Sequence, residues 1–258
     1  MNIERRNSLD KVDLLNWRWE PFLNEVITSL SVFSLQPYPI PVEYLNKEDS
    51  IGTKINPKKV KTSTWACKTN KIRQARASCI KAGANISVLN LVISPFHTYD
   101  LPFFGIDFVS LPSGHLLAMD LQPALKNDPI HTKDVWSRLI PLHSHWQSLL
   151  PDGGDIPQEA KSFFSPGFLW TRLPLSQGSD QLIQDIVWPA FKSYLNLYID
   201  LLIGAKQISN LRASNVLDGQ KSYMNYRAYK DPARKMLTSF YGKEWTEQYI
   251  HKVLFDLE

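Results

Sequence analysis

Three polar side chains interrupt runs of sequence that are otherwise apolar and typical of buried strands. They are Asn90 in NISVLNLVI, Asp107 in FFGIDFVSL and Asp120 in HLLAMDLQP. A carboxylate buried in such a strand is strongly destabilising unless it is paired or protonated. Burial therefore predicts a pKa raised toward neutrality, which suits a side chain that donates protons during a reaction.

Each of these residues also has a purely structural interpretation, in which it pairs with backbone groups or with a buried Lys or Arg. For Asp120, which lies near a strand end, the structural interpretation is favoured. For Asn90 it is slightly favoured, whereas Asp107 fits the structural and the chemical interpretation equally well.

A fourth polar candidate lies near the C-terminus, in YMNYRAYKDPARKML. Asp231 precedes Pro232, so the spacing predicts the end of one helix and the start of the next turn. Two roles fit Asp231: a chemical one, or capping of the following helix. Arg227 lies four residues earlier on the same helical face, where an ion pair with Asp231 is the alternative to ligand binding.

The sequence contains no pattern typical of a metal or nucleotide site. None of the six histidines has metal-ligand spacing, and His131 and His251 are expected at the surface. Cys67 and Cys79 form no Cys-x-x-Cys pair, and a disulfide across neighbouring strands is a minor alternative. Glycine-rich phosphate loops and a nucleophile elbow are also absent from the sequence. A redox enzyme with this sequence would take its electrons from a partner protein.

Positive charge is concentrated in one segment of a chain whose net charge is only +4. No acidic residue occurs between Asp49 and Asp100. Nine basic residues lie there: Lys54, Lys58, Lys59, Lys61, Lys68, Lys71, Arg73, Arg76 and Lys81. A local positive field on a nearly neutral protein predicts an acidic partner.

The pattern of apolar residues predicts an α/β protein in which one antiparallel sheet lies between helical layers. An amphipathic helix ends before QPYPIP, and IGTKINP is predicted to extend the loop that follows. Residues 63–122 contain five short runs separated by turn residues, which predicts an antiparallel β-meander. The first two runs alternate with basic residues and are expected to be half exposed. Helices are predicted at 134–150, 179–205, 222–230 and 243–254, with FFSPGFLWTRL as a further strand. We expect a single domain, a three-layer α/β/α sandwich over residues 1–258.

The chain shows no pattern typical of membrane insertion or secretion. Its longest apolar-rich stretch, Trp188 to Ile203, is too short and too polar to span a bilayer. The N-terminal MNIERRNSLDKVD has no apolar core, and its early acidic residues argue against a transit peptide. We therefore expect a cytoplasmic protein, or a protein of the plastid stroma if the source is eukaryotic.

The stretch NLVISPFHTYDLPFFGIDFVSLPSGHLLAMDLQP resembles the core signature of the ferredoxin-dependent bilin reductases. FFSPGFLWTRL and YRAYKDPARKMLTSFYGKEWTEQYIHKVLFD resemble the same family, so that the resemblance covers the chain from about residue 84 onward. Within the family, the signature is most similar to the phycoerythrobilin-forming branch. Asn90 stands where the phycocyanobilin-forming members have a histidine, which counts against that product.

The resemblance implies a bilin held between the sheet and the C-terminal helices. It also implies stepwise one-electron transfer from reduced ferredoxin, with no bound metal or flavin, and 15,16-dihydrobiliverdin as the substrate, reduced at its A-ring diene. Asp107 and Asp231 match the family's two aspartates and take the role of proton donors. Asn90, Arg227, Ser165 and Arg172 are the candidates for substrate binding. An upstream dihydrobiliverdin-forming reductase is a further candidate partner.

Several alternatives remain open at this point. One alternative is a reductase with another bilin specificity. Another is a bilin-binding chaperone or lyase without catalysis. A nucleic-acid-binding module is a weaker alternative, because few aromatic residues interleave with the basic ones. Lys58, Lys59 and Lys61 are predicted to dock ferredoxin. Binding of the bilin propionates, or a solvated sheet edge, are the other interpretations of these lysines.

Overall fold

The computed structural model describes residues 7–53 and 56–256, and its centre is an antiparallel sheet. Strands β3 to β8 follow one another across this sheet in chain order, and β1 and β2 both pair with β3 at one edge. The strands are β1 (Gln36–Pro37), β2 (Asn46–Thr53), β3 (Asn56–Lys68), β4 (Ile72–Ala82), β5 (Ile86–Pro95), β6 (Phe103–Leu111), β7 (Gly114–Gln122) and β8 (Leu169–Leu173).

One helix precedes the sheet, a short one lies between β1 and β2, and the others follow β7. They are α1 (Glu20–Leu30), α2 (Val42–Leu45), α3 (Pro129–Gln147), α4 (Gln158–Lys161), α5 (Gln177–Leu182), α6 (Trp188–Gly204), α7 (Asn210–Lys230), α8 (Arg234–Tyr241) and α9 (Lys243–Tyr249). Two π-helical turns, Ile183–Val187 and Ile250–Leu254, extend α5 and α9. Within the described part of the chain, no helix is both long and apolar enough to cross a membrane.

Two apolar cores lie on opposite faces of the sheet, because successive side chains of a strand point to opposite sides. On one face, residues such as Trp65, Leu91 and Phe108 pack against α1 and α6. On the other, residues such as Val60 and Val88 pack against α7 to α9. The predicted α/β/α sandwich is confirmed.

The predicted meander is confirmed as well, with short connections between consecutive strands. The PSG turn joins β6 to β7, and Leu111 pairs with Gly114, whose φ of 135° is available to glycine without strain. The register places Cys67 opposite Ala75 and Cys79 opposite Ser63, so the two cysteines are not cross-strand neighbours.

The prediction of a loop over IGTKINP is wrong. β2 and β3 form a long hairpin, in which Ile51 pairs with Lys58 and Glu48 pairs with Lys61. Charged side chains are compatible with a strand at a sheet edge, where they hinder pairing with another chain. Composition alone therefore did not separate this hairpin from a loop. Lys54 lies outside the described residues.

The helices predicted at 179–205 and 222–230 have other bounds in the structure. The long helix of 179–205 is interrupted by the π-helical turn before Pro189, which has no N–H for a regular helical hydrogen bond. Pro141 lies inside α3 without ending it, at an exposed position. α7 begins twelve residues before the predicted start. Gly219 lies on it where a Cβ would be 2.3 Å from the Ala124 carbonyl oxygen, so this glycine permits the close approach.

Candidate functional site

A cavity of about 350 Å³ opens between the sheet and α7, over the middle of β5, β6 and β7. Aromatic side chains form much of its wall: Phe163, Phe164, Phe168, Trp170, Tyr223 and Tyr226. Phe163 stacks on Tyr226 with ring centroids 4.3 Å apart, and Glu159 of α4 pairs with Lys230 of α7 at 3.6 Å. Such a cavity suits a large, flat, conjugated ligand with polar groups at its rim.

Asn90 and Asp107 lie side by side on the floor of this cavity. They are direct partners in the register of β5 and β6, so their side chains share one face of the sheet. The Asn90 amide is near enough to the Asp107 carboxyl group to lower its pKa as a hydrogen-bond donor. Burial raises the pKa of Asp107 above its usual range, while Arg227 and the Asn90 hydrogen bond oppose that shift. Asp107 is thus deeply placed, yet its carboxyl group faces the cavity.

Asp231 approaches from the helical layer, at the junction of α7 and α8. It lies between Lys230 and Pro232, which both line the cavity. One carboxylate oxygen accepts a hydrogen bond of 2.7 Å from the Ala233 backbone N–H, so the residue does cap the following turn. Burial raises the pKa of Asp231, and the nearby Arg227 guanidinium opposes this. Capping through one carboxylate oxygen is thus compatible with a chemical role at this position, which stays a prediction.

Arg227 is a charged residue that acts on both aspartates. It lines the cavity from α7, and its positive charge lowers the pKa of both Asp107 and Asp231. Its Nε is buried and has no hydrogen-bond partner within the described residues. Arg172 lies elsewhere on the rim, with its guanidinium 5.3 Å from the centre of the Trp170 ring.

Ser165 was predicted to bind the substrate. In the structure its polar groups bind Asp120, and it is not one of the residues that line the cavity. Its backbone N–H donates to Asp120 at 2.8 Å, and its hydroxyl group donates to the other oxygen of the same carboxylate. Burial raises the pKa of Asp120 to about 7 in spite of these hydrogen bonds. The arrangement supports the structural interpretation of Asp120, in which a loop serine satisfies a buried strand carboxylate.

Lys58, Lys59 and Lys61 do not form one flat patch. Val60 is buried on the cavity side of β3, so alternation puts Lys58 on that side and the other two lysines on the opposite side. Lys61 pairs with Glu48 at 3.0 Å. Strand spacing and rise place the Lys58 Cα roughly 25 Å from that of Asp107.

Sequence reasoning missed Arg76, which it counted among the surface cations of a half-exposed strand. The structure buries Arg76 completely on the cavity side of β4. A β-bulge at Ile72–Gln74 also breaks the regular alternation of side chains, which would otherwise place Lys71 and Arg73 on one face. Lys71 binds the last carbonyl groups of α6, whereas Arg73 binds the Asp256 carbonyl oxygen. One signal in the sequence indicated that β4 is buried on both faces, namely the small residues Ala75 and Ala77 beside Arg76.

His131 is buried, which corrects its expected place at the surface. Its Nε2 accepts from the Ala124 N–H at 3.0 Å, and its Nδ1 donates to Asp100 at 2.5 Å. Arg212 of α7 also donates to Asp100, at 2.7 Å. This network joins the start of α3 to the start of α7 and holds the helix that carries Arg227.

The family model described as "Ferredoxin-dependent bilin reductase" matches residues 23–256. The chain belongs to the ferredoxin-dependent bilin reductases. It is therefore an oxidoreductase that reduces a bilin with electrons from ferredoxin. The resemblance found in the sequence is confirmed.

Curated relatives of this bilin reductase are named phycoerythrobilin:ferredoxin oxidoreductase. The protein from Prochlorococcus marinus strain MIT 9211 is 63% identical over 257 residues, with 100% of both chains covered. The protein from Synechococcus sp. strain CC9311 is 56% identical over 257 residues, again with 100% of both chains covered. Among solved structures, a phytochromobilin synthase from tomato in complex with biliverdin has a TM-score of 0.80 at 23% identity. The matched region covers 93% of this chain and 83% of the tomato protein's chain. That likeness concerns the fold.

In this bilin reductase, burial raises the pKa of Asp107 on the cavity floor and of Asp231 between two cavity-lining residues of the helical layer. Each electron that enters a conjugated tetrapyrrole makes it more basic, so every step needs a proton source nearby. Asp107 on the sheet and Asp231 on the helical layer remain the predicted proton sources.

Proposed function

We propose that this enzyme reduces the A-ring diene of 15,16-dihydrobiliverdin and releases phycoerythrobilin. The name of the relatives supports phycoerythrobilin as the bilin concerned. The observation that carries the proposal is the pairing of Asn90 with Asp107 on the cavity floor. An asparagine supplies a neutral donor there, where a histidine would bring a second titrating proton.

The proposed reaction adds two electrons and two protons to the bilin. Ferredoxin supplies the electrons one at a time, without a bound flavin or metal as intermediary. Asp107 and Asp231 each supply one proton to the diene system, which becomes the ethylidene group of the product. Arg227 and Arg172 are proposed to hold the bilin propionates at the rim, because a guanidinium matches a carboxylate in shape and charge. Ser165 acts through Asp120 in this proposal and does not contact the bilin.

Product analysis with two separately supplied bilins tests the substrate. With reduced ferredoxin, the enzyme is expected to convert 15,16-dihydrobiliverdin into a product that co-elutes with phycoerythrobilin. Biliverdin is expected to shift its absorption on binding and to remain unreduced. Conversion of biliverdin to a dihydrobiliverdin, or directly to phycoerythrobilin, contradicts the proposal and supports another specificity of the family. If biliverdin stays unreduced, an upstream reductase has to supply dihydrobiliverdin in the same compartment, which we propose to be the cytoplasm.

Lys58, Lys59 and Lys61 are proposed to steer ferredoxin rather than to touch it near the bilin. Charge steering acts over a longer range than contact and changes mainly the association rate. Because the lysines lie on two sides of β3, Lys58→Glu is compared with the pair Lys59→Glu/Lys61→Glu. Both variants are expected to raise the ferredoxin concentration needed for half-maximal turnover several-fold at low salt. The effect should fade as salt is added, with kcat and bilin affinity unchanged.

The matched control reverses two exposed lysines on helices, Lys192 and Lys221. This control changes the net charge as much as the Lys59/Lys61 pair does. If control and test variants respond alike, net charge alone is responsible. A fall in bilin affinity in the test variants instead assigns these lysines to the substrate.

A further inference from the structure

Arg76 is fully buried on β4 and binds oxygen atoms from two distant parts of the chain. Its Nε donates to the Leu254 carbonyl oxygen at 3.0 Å, and its Nη1 donates to the Asn90 carbonyl oxygen at 3.0 Å. Nη1 also donates to the Asn90 side-chain oxygen. Within the described residues, no carboxylate lies at ion-pair distance and Nη2 has no hydrogen-bond partner. A buried guanidinium without a direct counter-ion is costly, so its retention calls for a reason.

The contact with Arg76 fixes the orientation of the Asn90 side chain. A guanidinium has only donors, so the amide must turn its oxygen toward Arg76 and its NH2 group away. Asp107 is the cross-strand neighbour of Asn90, and the Asn90 amide lowers the pKa of Asp107 as a hydrogen-bond donor does. Arg76 thus determines that Asn90 is a donor, and not an acceptor, toward Asp107.

The C-terminal segment holds Arg76 in this position. The π-helical turn Ile250–Leu254 leaves carbonyl groups outside the regular helical pattern, and Leu254 offers one of them to Arg76. The Phe255 ring lies between two guanidinium groups, 5.4 Å from Arg76 and 5.7 Å from Arg227. Cation–π contacts of this kind stabilise cations that are partly desolvated.

We propose that Arg76 is a positioning residue for bilin reduction, which orients Asn90 so that its amide donates a hydrogen bond to the Asp107 carboxylate. This inference rests on the proposed role of Asp107 as a proton donor. Arg76 does not line the cavity, so it acts on the bilin through Asn90 and through its charge.

Removal of Arg76 is expected to raise the pKa of Asp107 further. Burial already raises this pKa, and Arg76 is one of the groups that oppose the shift. An acid donates only below its pKa, so the falling limb of the turnover profile should move to higher pH. The charged or titratable groups that face Asp107 from the packed elements are Arg76, Asp120, Tyr223, Arg227 and Asp231.

The test compares Arg76→Gln with Arg73→Gln in single-turnover reduction by reduced ferredoxin as a function of pH. Arg73 lies on the same strand and also binds the C-terminal segment, but its hydrogen bonds go to Tyr38 and Asp256. The falling limb is expected to move up by about one pH unit in Arg76→Gln. It should stay in place in Arg73→Gln. A lower rate at every pH with the limb unmoved makes Arg76 merely structural and overturns the inference.

Asn90→Leu provides a second variant that leaves Arg76 in place. It removes the donor to Asp107, so the limb should again move to higher pH, and an unmoved limb overturns the inference even if Arg76→Gln fails to fold. In the double variant the shift should be smaller than the sum of the two single shifts, because both changes remove the Asn90 hydrogen bond. Any shift beyond that of Asn90→Leu measures the direct effect of the Arg76 charge, and fully additive shifts contradict the relay. Full turnover in Asp107→Asn overturns this inference together with the proposed role of Asp107. An inactive Asp107→Asn with an unmoved Arg76→Gln profile overturns the inference alone.

Discussion

Asp107→Asn is expected to bind the bilin with unchanged affinity and to reduce it at least about a hundredfold more slowly, because an amide cannot deliver the proton. The substitution preserves shape, and it keeps hydrogen-bonding groups beside Asn90 on the cavity floor. Electrons from ferredoxin should still reach the bilin. A bilin radical is therefore expected to accumulate, and electron paramagnetic resonance together with absorption spectra measures it.

Asp120→Asn is the matched control for this variant. Asp120 lies on the neighbouring strand and the same face of the sheet, with its carboxylate bound by Ser165. The control should lose stability and retain most of its turnover per folded molecule. Wild-type turnover by Asp107→Asn would exclude Asp107 as an essential donor. A loss of bilin affinity as large as the loss of turnover would make it a binding residue instead.

The second large effect is expected at Asp231, where the cap and the chemistry can be separated. Asp231→Ser retains a side-chain oxygen for the Ala233 N–H, and serine caps nearly as well as aspartate. The variant should unfold at nearly the wild-type urea concentration and still lose about a hundredfold in turnover. Because Asp231 approaches from the helical layer, the bilin species that accumulates should differ in spectrum from that in Asp107→Asn.

Asp231→Ala completes the comparison, since alanine provides neither the cap nor the proton. It should match Asp231→Ser in turnover and be less stable by about 1 kcal/mol. If Asp231→Ser turns over like the wild type while Asp231→Ala is destabilised, Asp231 is a cap alone. Ferredoxin-driven single turnover and urea unfolding of the same preparations distinguish these outcomes.

Much of the sheet was predictable because its signals are local. Five short runs with turn residues between them require antiparallel pairing, and the PSG turn sets the β6–β7 register. A carboxylate in the middle of an apolar strand already marked Asp107 as unusual. Asp231 before Pro232 likewise marked the junction of two helices.

The errors share a different physical origin. The IGTKINP segment was placed in a loop, because charged residues at a sheet edge and in a loop have similar composition. The partner of Ser165 was not predictable, because the fold brings it against Asp120, 45 residues earlier in the chain. The bulge at Ile72–Gln74 changes which side of the sheet Arg73 faces, and a bulge leaves little trace in the residue pattern.

The antiparallel sheet, its helical layers and the unusual positions of the two aspartates follow from local patterns, because periodicity and isolated polar residues are properties of neighbouring positions. The family followed from the resemblance of whole motifs. The surroundings of those aspartates depend instead on contacts that form only when the chain is folded. Arg76 meets the Leu254 carbonyl group across 178 residues of chain. The same strand residue would be a surface cation if the C-terminal segment did not cover it. Burial, partners and pKa depend on such contacts between distant segments, which no local pattern records.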